Sequence, residues 1–337
     1  MNCSPLISVI IPIHNGARWI SETLESLFAQ TEPNFEIILV NDASTDNLHL
    51  VLENYPDKRL RVENLTHQSG ESGARNRGID LAQGRYIAFC DADDICQPER
   101  FARQIEFFAT NPEIDLCGSA FTCFDPNIRE TITNPCSQKE IRRALMYGNC
   151  FGVSTIMVRA ESMRKYRFDE KLRAAPDYDL WTRMAINGIR MANLPESLVH
   201  YRLHPGQASR LYSVQLDQVS RRIRSHYCAV LLGNADLATR VQEGKIFPED
   251  LEFVAREIMR FIKTNPEYTT RDFRYLLAWI YQQLPSHGMR SWWNWVRIQN
   301  ELNLLLDRNY RLNIFLLAIL PFRISAKQLD VLLKLKR

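Results

Sequence analysis

"GARNRGIDLAQGRYIAFCDADDICQP", residues 73–98, decides the fold. The stretch before Arg85 reads as a helix closed by Gly84, and "RYIAFCD" reads as a strand ending against Asp91, Asp93 and Asp94. Nothing cationic sits among these three carboxylates, so the cluster costs Coulomb repulsion unless a cation joins it. The same alternation runs upstream. "ISVIIPI" and "FEIILVND" are β-branched runs, "LRVENLT" is a third, and the segment Arg18 to Gln30 places Ile20, Leu24 and Leu27 on one helical face. Near-continuous apolar strands separated by helices predict a parallel sheet covered on both faces. Ligands of such sheets bind beyond the carboxyl ends of the strands, and Asp42 and Asp91 each end a strand.

Past Ile114 the pattern is mixed. "IDLCGSAFTCF" and "VSTIMVR" read as strands, "PDYDLWTRMAING" as a helix ended at Gly188, and "SLVHYRLHPGQAS" as a strand running into a loop. Beyond about Ser213 the chain reads as helix throughout, which predicts two regions, 1–213 and 214–337. Charge divides in nearly the same place: residues 1–214 hold 23 Lys+Arg against 27 Asp+Glu, and the remainder 19 against 12. At 337 residues, with 45% hydrophobic and 24% charged residues, the chain suits one large domain with an appendage. No nucleic-acid partner is expected. The eight cysteines form no CxxC and no zinc spacing, and Cys90 and Cys117 fall within apolar runs as inert core thiols. A reducing, cytoplasmic location follows, because "IFLLAILPF" is about half the length of a membrane span and Ile7–Ile11 is too short for a signal peptide.

The first strand leads into "PIHNGA", which is neither a dinucleotide fingerprint nor a P-loop. A diphosphate would therefore be held through a divalent cation, and Mg2+ or Mn2+ favours the oxygen ligands that "DAD" supplies. An isolated DxD is also compatible with a solvated turn.

The motifs "SVIIPIHN", "FEIILVNDASTDN" and the opening stretch, with "APDYDLWTRM" and "YRLHPGQAS" further on, keep one order over roughly residues 7–210. In this the chain resembles the inverting family 2 glycosyltransferases. The resemblance implies a GT-A fold: an α/β, Rossmann-like, mainly parallel sheet flanked by helices, here with a C-terminal helical appendage. It implies transfer of a sugar from a nucleoside-diphosphate sugar, with UDP the expected nucleotide, to a hydroxyl on a glycan or lipid-linked acceptor. Pro12, His14 and Asn15 match the loop along the base and ribose, with His14 where a Tyr is usual. Asp42 matches the acceptor for the base edge, with Asn41 replacing a neighbouring Asp. Ala74, Arg75 and Asn76 match the segment that meets the nucleotide, and Asp91 the contact to ribose or to the metal's waters. Asp93 matches the metal ligand. His204 matches the histidine of the loop closing over diphosphate or metal, with Arg202 beside it as a phosphate partner. Asp177 matches the catalytic base, preceded by Pro176 where Glu is usual.

Two features stay open on the sequence. Trp292, Trp293 and Trp295, among arginines, suit either a membrane interface or a helical core, so peripheral attachment to the inner membrane face is one of two expectations. A nucleotidyltransferase and a non-catalytic scaffold are the competing functions. The first lacks its cation-bearing phosphate loop, and the second is at odds with the presence of both Asp93 and Asp177.

Overall fold

The computed structural model describes residues 5–207, 213–247, 250–283 and 295–298. The chain divides into two compact units, residues 1–220 and 221–337. The first begins with β1 (Ile7–Ile13), α1 (Ile20–Phe28), β2 (Phe35–Asn41), α2 (Leu48–Leu52), β3 (Leu60–Asn64), α3 (Gly70–Leu81) and β4 (Tyr86–Phe89). It continues through β5 (Ile95–Cys96), α4 (Arg100–Thr110), β6 (Leu116–Phe124), β7 (Arg129–Ile132), α5 (Gln138–Ala144), β8 (Met157–Arg159), α6 (Ala160–Met163), α7 (Pro176–Ile186) and β9 (Met191–Arg202).

One sheet takes the order β3-β2-β1-β4-β8-β6-β9-β5, with β7 paired to β6. β1 to β4 are parallel, and β8 runs against both β4 and β6, so β6 and β9 point the same way as β1. The carboxyl ends of β1, β2, β4, β6 and β9 therefore share one rim. All seven residues of β1 are buried, as a strand covered on both faces must be. Pro12 is tolerated there for a register reason. The Ile10 carbonyl takes the Cys90 N–H, so Pro12, two residues on, faces the same side, and β4 has already ended. Its missing N–H costs no ladder bond.

Helix α3 reaches β1 closely because Gly78 has no Cβ to strike the Ile10 side chain. It ends at Leu81, short of the expected Gly84. Gly84 serves packing instead, since a Cβ there would lie 2.6 Å from the Ser8 nitrogen and 2.8 Å from the Ile7 carbonyl carbon and the Tyr86 oxygen. Gly188 follows α7 with φ +82°, the left-handed turn expected of it. Strand β9 starts at Met191, earlier than "SLVHYR" predicts, and carries Pro195 inside it. Register explains this: Ser119 pairs Leu194 and Ala120 pairs Ser197, so Pro195 and Glu196 bulge out of the ladder.

The second unit is helical in its described residues: the end of α8 (Ser213–Leu231), α9 (Ala235–Glu243), α10 (Asp250–Thr264) and α11 (Arg274–Gln283). Asn234 caps α9 by accepting the Leu237 N–H at 2.7 Å, and Gly244 closes it at φ +71°. Trp295 is 2% exposed and packs on the Tyr281 ring at 5.2 Å, which makes it core. Trp292 and Trp293 lie outside the described residues. Among the described residues no helix is long and apolar enough to cross a membrane.

Gly84→Ala should cost about 1–3 kcal/mol of stability, because the colliding atoms are backbone and have little room to yield. Urea denaturation checks this, and an unchanged midpoint would show that the β1–β4 entry relaxes freely.

Candidate active site

Three loops leave the rim. Behind β1, Asn15 adopts φ +53° and its Oδ1 accepts the Thr45 and Asp46 N–H groups at 2.8 and 3.3 Å. Its own N–H donates to Ser44 Oγ at 3.0 Å, so Asn15 binds the β1 and β2 loops together. His14 is exposed, with Nδ1 2.7 Å from the Asp42 carbonyl oxygen. Pro12 is buried within the strand. Asp42 is 3% exposed and serves as a tertiary cap for α3. Oδ1 accepts the Ser69 N–H at 2.6 Å and its hydroxyl at 2.9 Å, and Oδ2 accepts the Gly70 N–H at 2.8 Å. Among the described residues Oδ2 has this one donor, and a carboxylate oxygen can accept a second.

From α3, two of the three expected residues do not come to the rim. Ala74 is fully buried. Asn76 gives its amide to Phe168 and Glu170: Nδ2 donates to the Phe168 carbonyl at 3.0 Å and to Glu170 Oε1 at 2.9 Å, and Oδ1 accepts the Phe168 N–H at 3.0 Å. Side chains three and four apart share a helix face, and in α3 the face towards the acidic loop belongs to Glu71 and Arg75. Arg75, 2% exposed, donates to Glu71 at 2.5 Å and to Asp91 at 2.7 Å and lies over the Phe168 ring. Burial works against its charge, but Glu71, Asp91 and Asp177 hold it firmly protonated. For Glu71 the Arg75 cation pulls the carboxyl down, yet burial and the charges of Asp91 and Asp177 leave it raised.

The acidic loop splits its three carboxylates among three tasks. Asp91 faces Arg75, and its N–H donates to Ser154 Oγ at 3.0 Å. Asp93 Oδ2 meets His204 Nε2 at 2.7 Å, although 111 positions separate the two residues. Burial, then the charge of Asp91, pushes the Asp93 carboxyl up, against the pull of His204. Asp94 is fully buried and accepts the Arg202 N–H at 3.0 Å, which ties the end of β9 to the loop. Burial and then Asp93 and Asp91 raise its carboxyl well above the ordinary range. Arg202 reaches the same loop by Nε to the Asp93 carbonyl at 2.9 Å, and its Nη2 pairs Glu22 at 2.9 Å. Its guanidinium covers Trp19, whose ring also lies 5.6 Å from that of His204.

Asp177 sits in the first turn of α7, after Ala175 in a left-handed conformation and with Pro176 at the start of the helix. Oδ2 accepts the Asn149 side-chain N–H at 2.7 Å, and Oδ1 the Tyr178 N–H at 2.8 Å. Burial pushes its carboxyl up, while the Tyr178 N–H and Arg75 pull it down. Asp179, two residues on, pairs Arg183 within the helix.

Sequence reading missed Glu71, Trp19 and Asn149, and gave Asp94 no partner of its own. Spacing exposes Glu71, four residues before Arg75; no local signal marks Asn149, which meets Asp177 only through the fold.

The donor types of Asp93 and His204, one carboxylate oxygen and one imidazole nitrogen, fit a divalent ion, which would replace the 2.7 Å hydrogen bond they now share. Among the described residues no three His, Cys, Asp or Glu gather to hold a metal unaided. Such a pair leaves the remaining positions to phosphate oxygens and water, as these cations commonly arrange.

The sheet and its flanking helices form a GT-A fold. Staphylococcus aureus TarS 1–349, solved with UDP, superposes with TM-score 0.55 at 19% identity over 96% of this chain and 88% of that one. PcManGT, a mannosyltransferase of Pyrobaculum calidifontis solved with GDP-Man and Mn2+, gives 0.50 at 17% identity, over 83% and 86%. Residues 8–167 match the family described as Glycosyl transferase family 2. The putative teichuronic acid biosynthesis glycosyltransferase TuaG of Bacillus subtilis is 30% identical over 211 residues, 60% of this chain and 81% of its own length. WfaP of Escherichia coli, a UDP-Glc:alpha-D-GlcNAc-diphosphoundecaprenol beta-1,3-glucosyltransferase, is 29% identical over 221 residues, 65% and 86% respectively. The chain belongs to glycosyl transferase family 2.

Asp42→Ala should lower stability by about 1–2 kcal/mol without any ligand, because α3 loses its cap. Urea unfolding of the nucleotide-free protein reads this, and an unchanged midpoint would relieve Asp42 of its structural duty.

Proposed function

We propose that the chain is a metal-dependent inverting transferase, moving a sugar from a UDP-sugar to a hydroxyl of a lipid-linked glycan. The catalytic part is residues 1–213, with 214–337 as a helical appendage working at the cytoplasmic face of the membrane. The observation behind this reading is the meeting of Asp93 with His204 beside the Arg75–Asp91 pair, with the Asp177 charge acting on that same arginine. A diphosphate brought to a rim holding Asp91, Asp93 and Asp177 would be repelled without a cation. WfaP, and TuaG as a relative named for teichuronic acid biosynthesis, support the acceptor class.

The donor's base and ribose lie along His14 and Asn15, and the second acceptor direction of Asp42 Oδ2 takes an N–H of the base. Asp93 and His204 would hold Mn2+ or Mg2+, which would supply positive charge against the leaving diphosphate, and Asp91 would contact the ribose or the metal's waters. Arg75 keeps Asp91 fixed, and Arg202 holds the Asp93 loop against β9 next to the phosphates. Asp177 takes the proton of the attacking hydroxyl as the new bond forms. Asn149, with its Oδ1 occupied by the Phe151 N–H at 3.1 Å, points its amide N–H at Asp177 and orients it.

Calorimetric titration with UDP and Mn2+, followed by product analysis with a UDP-sugar and an undecaprenyl-diphosphate sugar, tests the proposal. No UDP binding with metal present would overturn it. Asp93→Asn should lower turnover on the order of a hundredfold, and full activity in excess EDTA would argue for a metal-independent enzyme.

Asp177→Asn should remove transfer by a factor on the order of 10²–10⁴ while leaving UDP affinity within a few fold. The wild-type rate should fall as pH drops through the raised Asp177 value, because only the ionised carboxylate accepts a proton. Asn149→Ala removes a donor that favours the ionised form, so that limb should move to higher pH with kcat reduced about tenfold. A limb that stays in place in this variant would separate Asn149 from the base.

A further inference from the structure

Two cysteines bracket the acidic loop, and neither has a part in the mechanism above. Cys90 follows β4 and Cys96 closes β5; both are buried, and their Sγ atoms lie 3.7 Å apart. The second observation is Arg100. Its guanidinium is fully buried, with Nε on Gln104 at 3.3 Å, Nη2 on the Phe89 and Ile156 carbonyls at 3.0 and 3.1 Å, and Nη1 on Cys96 Sγ at 3.0 Å. Among the described residues no carboxylate pairs with it. A buried cation needs a compensating charge, and of its four hydrogen-bond acceptors only the Cys96 sulfur can ionise. The contacts to Cys90 and Arg100 bring the Cys96 thiol down to about 6 despite its burial. The sequence reading of Cys90 as an inert core thiol overlooked this neighbour; Cys117, whose thiol burial pushes up to about 12, fits that description.

We propose that Cys90 and Cys96 form an oxidisable pair that closes to a disulfide across the base of the acidic loop, with a hydroperoxide as oxidant. The Cys96 thiolate attacks the peroxide oxygen, the O–O bond breaks, and the departing alkoxide or hydroxide takes a proton from solvent. Cys96 is then a sulfenic acid. The Cys90 sulfur attacks it, the S–S bond forms, the S–O bond breaks, and water leaves with the Cys90 proton. Two thiols give up two electrons and the peroxide accepts them. Access comes through β5, a two-residue strand at the sheet edge whose ladder partner among the described residues is β9 and whose Cys96 N–H donates to Ser26 Oγ at 3.1 Å.

Closure has a consequence for the site, on the reading that Asp93 and Asp91 serve donor binding. Drawing two sulfurs from 3.7 Å to bonding distance, about 2 Å, shifts both ends of the loop. Asp93 then moves relative to His204, and Asp91 relative to Arg75. Oxidation should weaken binding of UDP with Mn2+ tenfold or more, and reduction should restore it.

The test treats the full chain with hydrogen peroxide, blocks free thiols with iodoacetamide and digests with trypsin. Residues 86–100 form one tryptic peptide holding these two cysteines and no other. The expected product is that peptide, unalkylated and two hydrogens lighter, converted back by dithiothreitol. Cys90→Ser, which keeps the Cys96–Arg100 contact, should leave a sulfenic acid on Cys96 that dimedone captures. Full alkylation of both cysteines after peroxide, or oxidation spread equally over Cys117 and Cys150, would overturn the pair. A disulfide that leaves UDP–Mn2+ affinity unchanged would overturn the coupling to the loop. Absence of UDP binding in the reduced protein would instead sink the donor-site reading, with the peptide result standing independently.

Discussion

A guanidinium almost without solvent contact, Arg75, connects the parts of the rim. It extends from α3 to Asp91 at the end of β4, has Glu71 on its own helix, and feels the charge of Asp177 from α7. Breaking a buried pair by removing one partner is far more costly than forming it is favourable, because the other charge is left uncompensated. The arginine therefore fixes the spacing of carboxylates that would otherwise separate. The Asp42 cap under α3 serves the same end, since it sets where the helix that carries Arg75 begins.

The acidic loop shows why three adjacent carboxylates are tolerable. Each is given a different neighbour: Arg75 for Asp91, His204 for Asp93, and the backbone N–H of Arg202 for the buried Asp94. Burial first, and their mutual repulsion after it, raises the carboxyls of Asp93 and Asp94. A cation bound beside such carboxylates would replace repulsion by attraction.

The strands were legible because burial on both faces writes itself as an unbroken apolar run, as in "ISVIIPI". The strand-end carboxylates were legible because charge directly after such a run has no packing explanation. What the sequence hid depends on distance along the chain. Asn76 looks identical to its neighbours in "GARNRG" until the 168–170 segment folds against it. Asn149 meets Asp177 across 28 positions. Pro195 hid the start of β9, because a proline argues against a strand unless a bulge, set by the partner's register, removes it from the ladder.

Pro176 illustrates how a departure from the family pattern can be absorbed. Glutamate at that position would add a carboxylate to a rim where the charges of Asp91 and Asp177 already act on Glu71, and that of Asp91 on Asp177. Proline at the first helical position adds no charge, gives up an N–H that would have no intrahelical partner, and arrives with φ already helical. Ala175 takes the cost in a left-handed backbone, on the order of 1–2 kcal/mol, and the turn it makes leads directly into the residue that presents Asp177. With Tyr178 N–H and Asn149 each holding one oxygen, the carboxylate is fixed by one short-range and one long-range donor. Its orientation then requires no second acid beside it.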